Sequence, residues 1–208
     1  YYTVWAHQIK TPIAAMQLTL QSADTAQARQ LRAELSRIEQ YVEMVMTYLR
    51  LQDDASDYVF CRCALDPLIR QSVRRFSAEF IGRKIRLDYR PVGLEVVTDE
   101  KWLVFVLEQL LSNALKYTRE GSIRIYLEAP ATLCIADTGI GIAPEDLPRI
   151  FDRGYTGLNG RADRKASGLG LALCKRICGN LGVSLSAESA PGRGTTVRLT
   201  LPQQPFHV

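Results

Sequence analysis

The feature that most constrains this chain is a change of hydrophobic period near residue 60. Before it, apolar residues recur at alternating spacings of four and three: Tyr2, Ala6, Ile9, Ile13, Met16 and Leu20, then Leu31, Leu35, Ile38, Val42, Val45 and Leu49. That repeat is the narrow seam of a coiled coil or four-helix bundle. Ser22-Ala23-Asp24-Thr25 separates the two runs and is polar and short, which predicts an antiparallel helical hairpin. Two narrow seams cannot both be buried within one hairpin, so a homodimer forming a four-helix bundle is expected. The alternative is a hairpin that merely packs on the rest of the chain.

From Phe60 the pattern mixes periods. Alternation at Ile85–Tyr89, Ser122–Leu127, Thr132–Asp137, Val183–Ala187 and Thr196–Leu201 predicts strands, and periods near 3.6 predict helices over 66–81, 100–118 and 169–181. Asp66-Pro67 reads as a helix start with Asp66 as N-cap, and Gly182 as the stop of the last helix. Glu120-Gly121 and Pro191-Gly192 suit hairpins, which favours a mixed α/β sandwich over a doubly wound sheet. The fold class expected is therefore α+β. It comprises a hairpin over 1–54, a polar hinge over 55–59 within the acidic run from Asp53, a sandwich over 60–202 and a tail over 203–208. The run from Asp137 to Gly168 is long and rich in Gly, Asp and Arg, as a functional lid would be.

Charge and cysteine usage narrow the function. Lys and Arg number 26 against 22 Asp and Glu, a net charge of +4. Spread along the chain, this excess is a solvated surface rather than a nucleic-acid stripe. No run of about 18 apolar residues is present to cross a membrane. The start at Tyr1 falls mid-pattern, so any membrane anchor is expected in segments outside this sequence. Of the five cysteines, Cys61 and Cys63 share a face of an expected strand without a partner pair at zinc spacing. Cys174 and Cys178 sit among apolar helical neighbours. Reduced core cysteines of a cytosolic compartment are the expectation.

Around residue 113 the chemistry becomes specific. Leu103, Leu107, Leu110 and Ala114 share the face expected to pack on the sheet, whereas Gln109, Asn113, Lys116 and Tyr117 cluster beside it. Two amide oxygens, an ammonium and a ring can ligate a hard cation, neutralise phosphate and flank a base, though an ordinary solvated helix face would look the same. Asp137-Thr138-Gly139-Ile140-Gly141-Ile142 follows a strand, so Asp137 can accept from an exocyclic amine while glycine backbone approaches a flat base. Gly168-Leu169-Gly170-Leu171 opens a helix, where backbone N–H groups favour phosphate. Gly192-Arg193-Gly194-Thr195 turns into the last strand.

In this order the motifs resemble those of the catalytic ATP-binding domain of sensor histidine kinases, which shares its fold with gyrase, Hsp90 and MutL. Glu108–Tyr117 resembles the N box, Asp137–Ile142 the G1 box, Ile150-Phe151-Asp152-Arg153 the F box and Gly168–Leu171 the G2 box. The resemblance implies that Asn113 ligates Mg2+ with Gln109 beside it, Lys116 meets the phosphates of ATP and Tyr117 flanks the nucleotide. It further implies that Asp137 contacts the adenine amine, that Gly139, Gly141, Ile142, Phe151, Gly168, Leu169, Gly170, Leu171 and Thr195 complete the site, and that Asp152–Ser167 forms the lid. Gln109 departs from the second Asn of most members. A magnesium site with so few protein ligands implies binding coupled to nucleotide.

His7-Gln8-Ile9-Lys10-Thr11-Pro12 resembles the H box of the same family. His7 follows Ala6 of the seam and so lies about 100° around the helix from the core. Pro12 cannot donate to the carbonyl of Gln8, which predicts a local bend. A neutral imidazole is a competent nitrogen nucleophile near neutral pH. The resemblance implies that His7 accepts the γ-phosphoryl group and passes it to an aspartate on the receiver domain of a response regulator. Gln8 stands where many members carry a Glu base, and Thr11 stands where the family positions water for phospho-aspartate hydrolysis. His207 belongs to the tail. The whole resembles small Gram-positive membrane kinases that respond to envelope stress, with this part on the cytoplasmic side. The rival readings are an ATP-driven conformational machine and a dimerising scaffold without turnover.

Overall fold

The computed structural model describes residues 2–23, 25–51, 58–157 and 168–202, with side chains from residue 8 onward, Ala33 excepted. The hinge run from Asp53, His207 and most of the expected lid lie outside the described residues. Two compact units form, Tyr1–Asp57 and Tyr58–Val208.

The first unit is an antiparallel pair, α1 (Tyr2–Gln21) and α2 (Ala26–Arg50). Thr25 caps α2 by accepting from Ala28 N–H at 3.1 Å, and Gln17 donates across the hairpin to Glu39. Helix α1 continues through Pro12 without interruption. The seams do not behave as single stripes. Ile13 and Leu35 are buried, while Ile9, Met16, Leu31, Ile38 and Val45 are each 43–48% exposed. Each seam thus splits into its two heptad positions, one closing the hairpin and the other left uncovered.

The second unit begins with β1 (Cys61–Ala64), α3 (Leu65–Arg75), α4 (Ser77–Gly82), β2 (Arg86–Tyr89) and β3 (Glu95–Thr98). It continues with α5 (Glu100–Tyr117), β4 (Ser122–Glu128), β5 (Thr132–Asp137), a 3-10 turn (Leu147–Arg149), α6 (Gly170–Asn180), β6 (Ser184–Ala190) and β7 (Gly194–Thr200). Five strands form a sheet in the order β2-β4-β5-β7-β6, with β2 and β4 parallel and the other pairs antiparallel. β1 and β3 make a separate antiparallel ribbon. Helices α3 and α6 each pack against α5, which also contacts β5. Register places Ile125 opposite Ile135 and Leu133 opposite Leu199, and all four are buried. Leu103, Leu107, Leu111 and Leu115 of α5 are buried against this layer at four-residue spacing. The mixed α/β sandwich is as expected.

Four local expectations fail. β3 was not anticipated, because the four residues Glu95–Thr98 give too short an alternation to register. The helix expected over 66–81 breaks at Phe76, whose side chain turns into the core at 3% exposure. Glu120-Gly121 makes no hairpin but leads from α5 into β4, whose partner β2 lies parallel to it. Asp66 is not the N-cap; Ala64 holds that position without a side-chain bond.

The Asp66 carboxylate has a longer-range role. It accepts from Val92 N–H and Gly93 N–H, both at 2.9 Å, and from the Tyr89 hydroxyl, pinning the β2–β3 loop to α3. Partial burial pushes this carboxyl up, but the bonds from Tyr89, Val92 and Gly93, with Arg70 nearby, hold it below its ordinary value. The folded state therefore gains stability from ionised Asp66 above the unfolded-chain pKa and loses it as pH falls through the depressed value. Asp66→Ala is expected to cost about 1–2 kcal/mol in urea denaturation at neutral pH, modest because the carboxylate is partly solvated. The gap to wild type should narrow on acidification.

Candidate functional site

The site is organised by the rotation of α5. Asp99 caps this helix, accepting from Trp102 N–H at 3.0 Å and also from Val59 N–H at 2.8 Å. At the other end Arg83 donates to the carbonyls of Leu115 and Thr118, at 2.5 and 2.7 Å, so a guanidinium holds the C-terminal turn. The leucine face being buried, the opposite strip is forced outward. Gln109, Asn113, Lys116 and Tyr117 are all half-buried on it, with the Lys116 ammonium 5.0 Å from the Tyr117 ring centre.

Beside this strip ends β5. Asp137 Oδ1 accepts from Gly139 N–H at 2.8 Å and from Thr195 N–H at 3.3 Å, so the β5 end and the β7 start are tied to one oxygen. Oδ2 accepts from none of the described residues and remains for an incoming donor. Burial pushes the Asp137 carboxyl above its ordinary value, and the two N–H bonds pull it only part of the way back.

The backbone around Asp137 is packed too closely for side chains. A Cβ on Gly139 would lie 2.5 Å from the Tyr117 carbonyl oxygen, and one on Gly194, at φ +83°, would lie 1.9 Å from the Asp137 carbonyl oxygen. Tyr117 also accepts from Ile140 N–H at 3.1 Å, which joins the N and G1 motifs through main chain. Ser189 completes the floor and was not anticipated from sequence. Its hydroxyl donates to Gly194 O at 2.8 Å, accepts from Ile142 N–H at 2.8 Å and meets the Thr195 hydroxyl at 2.9 Å. One serine before an Ala-Pro-Gly turn carries no periodic signal that could have found it.

The third wall is the start of α6. Leu169 precedes it without a side-chain cap, so the first-turn N–H groups of α6 have no intrahelical acceptor. A Cβ on Gly170 would sit 2.9 Å from Gln109 Oε1, which brings the G2 motif against the N box. The base of the expected lid is tied by Gly154 N–H donating to Gly168 O at 2.9 Å. Next to it, within the described start of the expected lid, Tyr155 donates to Asp146 and lies under the Arg149 guanidinium at 4.4 Å. Phe151 and Leu171 are half-buried at the edges of this region. The structure thus joins Gln109, Tyr117, Asp137, Gly139, Gly141, Ile142, Gly168, Gly170 and Thr195 through direct contacts or bonded neighbours. Gln8 and Thr11 are exposed on α1, on the same helix as His7.

The family described as Histidine kinase-, DNA gyrase B-, and HSP90-like ATPase matches residues 98–205, a span that runs from the α5 cap to the last strand. The chain belongs to this ATPase family. Likeness to individual proteins extends into the helical hairpin. Over 204 residues the chain is 34% identical to the sensor protein BceS of Halalkalibacterium halodurans, covering 96% of this chain and 61% of that protein. Over 208 residues it is 35% identical to the sensor histidine kinase GraS of Staphylococcus epidermidis, covering 97% and 60%. The chain therefore spans about three-fifths of the length of the curated relatives it matches. The solved structure of full-length ShkA in complex with AMPPNP superposes with a TM-score of 0.69 over 99% of this chain and 47% of that one; at 22% identity it speaks for the fold. The resemblance to sensor histidine kinases carried by the motifs therefore holds along nearly the whole chain, and the ATP-binding sandwich is of the expected type.

Asp137 provides a test of the site's electrostatics. Because its folded pKa is raised, the neutral carboxyl contributes stability that is complete below the unfolded-chain pKa and lost as pH rises through the folded value. Asp137→Asn is neutral at every pH and keeps an acceptor for the Gly139 and Thr195 N–H groups. At neutral pH it is expected to unfold at no lower urea concentration than wild type, with the two curves converging in acid.

Proposed function

We propose that this chain is the catalytic part of an ATP-dependent protein-histidine kinase that phosphorylates His7 and passes the phosphoryl group to an aspartate of a response-regulator receiver domain. We assign residues 1–54 to dimerisation and phosphotransfer, 55–59 to a hinge, 60–202 to the catalytic unit and 203–208 to a tail. The observation that carries the reading is Asp137, with one oxygen fixed by two backbone donors and the other left for an exocyclic amine, on a floor that only glycine backbone can form.

In this reading the adenine amine donates to Asp137 while Tyr117 flanks the base. The phosphates lie toward Lys116 and the uncapped N–H groups of α6, where the helix dipole favours negative charge. The donor set suits magnesium: Asn113 and Gln109 offer neutral amide oxygens and no carboxylate cage, which fits a hard cation that draws its other ligands from phosphate and water. When bound, the ion neutralises charge on the triphosphate. A neutral ring nitrogen of His7 attacks the γ-phosphorus, the bond from that phosphorus to the β-bridging oxygen breaks, ADP leaves with the electron pair and the ring proton passes to solvent. Gln8 can orient the imidazole but cannot accept that proton, so acid–base help there is weak. Thr11, one turn from His7, orients water in a phosphatase step on the phosphorylated regulator. Membrane attachment resides in segments outside this chain, which works on the cytoplasmic side.

The split seams support a homodimer. Leu31, Ile38 and Val45 recur every seven residues on α2, as do Ile9 and Met16 on α1, and all stay exposed in the single hairpin. A second hairpin would cover them as the other half of a four-helix core. Ile38→Glu is expected to shift the chain from dimer to monomer in sedimentation, with the helical content of the monomer otherwise retained.

Phosphorylation separates this reading from a nucleotide-driven conformational machine and from a scaffold without turnover. With γ-labelled ATP and Mg2+, the chain should acquire acid-labile, alkali-stable label that disappears in His7→Gln and in Asn113→Ala. Label surviving in His7→Gln would overturn the assignment. Gln8→Glu should raise the labelling rate severalfold, within the roughly 10²-fold that a positioned base can supply.

A further inference from the structure

The β1–β3 ribbon holds a cluster that the nucleotide site does not use. Cys61 and Cys63 occupy alternate positions of β1, so both thiols project from one face. The register sets Cys61 opposite Thr98 and Cys63 opposite Val96. The chain then turns through Asp99 into α5, which brings Glu100, the first residue of that helix, over the same strand. Cys61 Sγ, Cys63 Sγ and a Glu100 carboxylate oxygen all lie within 4.8 Å of one another.

Packing alone does not account for this convergence. Cys61 and Glu100 are exposed, and Cys63 retains 8% exposure. The neighbouring cations are directed elsewhere, Arg62 toward Glu95 at 3.9 Å and Lys101 toward the Trp102 ring at 5.9 Å. On the same ribbon face Thr98 is 1% exposed, and its hydroxyl has no hydrogen-bond partner among the described residues. The Cys61 thiol itself donates to the Thr98 carbonyl at 3.7 Å, which holds it on this face of the ribbon.

The geometry points to a binding site for a thiophilic divalent cation of the zinc class, held by Cys61 Sγ, Cys63 Sγ and the Glu100 carboxylate, with a fourth position open to water. Tetrahedral zinc with Zn–S bonds near 2.3 Å spaces its sulfurs by about 3.8 Å, so the three donors stand within about 1 Å of closure. Magnesium and calcium do not suit a donor set two-thirds sulfur. A Cys61–Cys63 disulfide is the poorer use of the pair. Alternate residues of a strand hold their Cα atoms about 6.6 Å apart with parallel Cβ vectors, whereas a disulfide needs Cβ atoms about 3.8 Å apart.

On binding, each thiol hands its proton to the buffer as its sulfur takes the metal, so two S–H bonds are exchanged for two metal–sulfur bonds. Burial first, then the Cys61 thiol and Glu100, push the Cys63 thiol up to about 11. The ion would cross-link β1 to α5, the helix that carries Gln109 and Asn113 further along. The same corner already anchors the start of the second unit, through Val59 N–H on Asp99 and the Tyr58 ring 5.5 Å from that of Trp102.

The test uses the 208-residue chain, reduced with a phosphine and stripped of metal, without nucleotide. Titration with Co(II) should give a thiolate charge-transfer band that saturates at one equivalent and is bleached by Zn(II). Cys61→Ser and Glu100→Gln, both surface changes, should each weaken Zn(II) binding at least about tenfold, since even outer-shell partners of metal sites are worth that much. Circular dichroism checks that both variants remain folded. No thiolate band, a stoichiometric equivalent that persists with unchanged affinity in both variants, or formation of the disulfide alone would overturn the site. None of these results depends on whether His7 is phosphorylated.

Discussion

The structure depends on the burial of α5. Four leucines at four-residue spacing, Leu103, Leu107, Leu111 and Leu115, are each exposed by 1% or less. Rotating that helix by one residue, about 100°, would withdraw roughly four leucine side chains from the core at about 2 kcal/mol each. The rotation is therefore fixed by the core, and the chemistry is placed by what is left over. Gln109, Asn113, Lys116 and Tyr117 stay half-buried outside the core because the leucines fill it. Caps at both ends, Asp99 at the first turn and Arg83 at the last, fix the helix along its axis as well.

Against this rigid helix stands a floor made almost wholly of main chain. Gly139, Gly141 and Gly194 are needed because neighbouring carbonyl oxygens lie where their Cβ atoms would be. Asp137 and Ser189 knit that floor from within, one as an acceptor of two N–H groups and the other as donor and acceptor together. Such a surface presents a preorganised face, and the second Asp137 oxygen is the acceptor proposed above for the exocyclic amine. The first turn of α6 closes the arrangement from the side, with its start pressed against Gln109. The substitution of Gln for Asn at 109 thus has a structural setting: the longer amide reaches a glycine that has no side chain to exclude it.

The helical hairpin follows another logic. Its seams are divided between a half that closes the pair and a half that stays bare, so a single hairpin is an unfinished core. The same residues that make α1 and α2 amphipathic leave the face on which the homodimer is proposed to form, and the histidine-bearing helix lies in that unit.

Much of this was legible in the sequence. The bounds of α5 and β5 and the stop of α6 at Gly182 follow from period, caps and glycine, all of which act over four residues or fewer. The order of the Asn-, Asp- and Gly-bearing motifs likewise carried the resemblance to the ATPase family. What escaped was non-local: Asp66 bonding 26 and 27 residues away, Ser189 reaching back 47 residues to Ile142, and the short β3 that exists because β1 pairs with it. The same holds for the thiols of β1, which read as isolated until the turn into α5 carried Glu100 over them. The sequence alone determined most of the helices and strands and which side chains they carry. Only the tertiary structure decided which oxygen of Asp137 is taken, which half of each seam stays open and which distant groups meet, because contacts across a core leave no period along the chain.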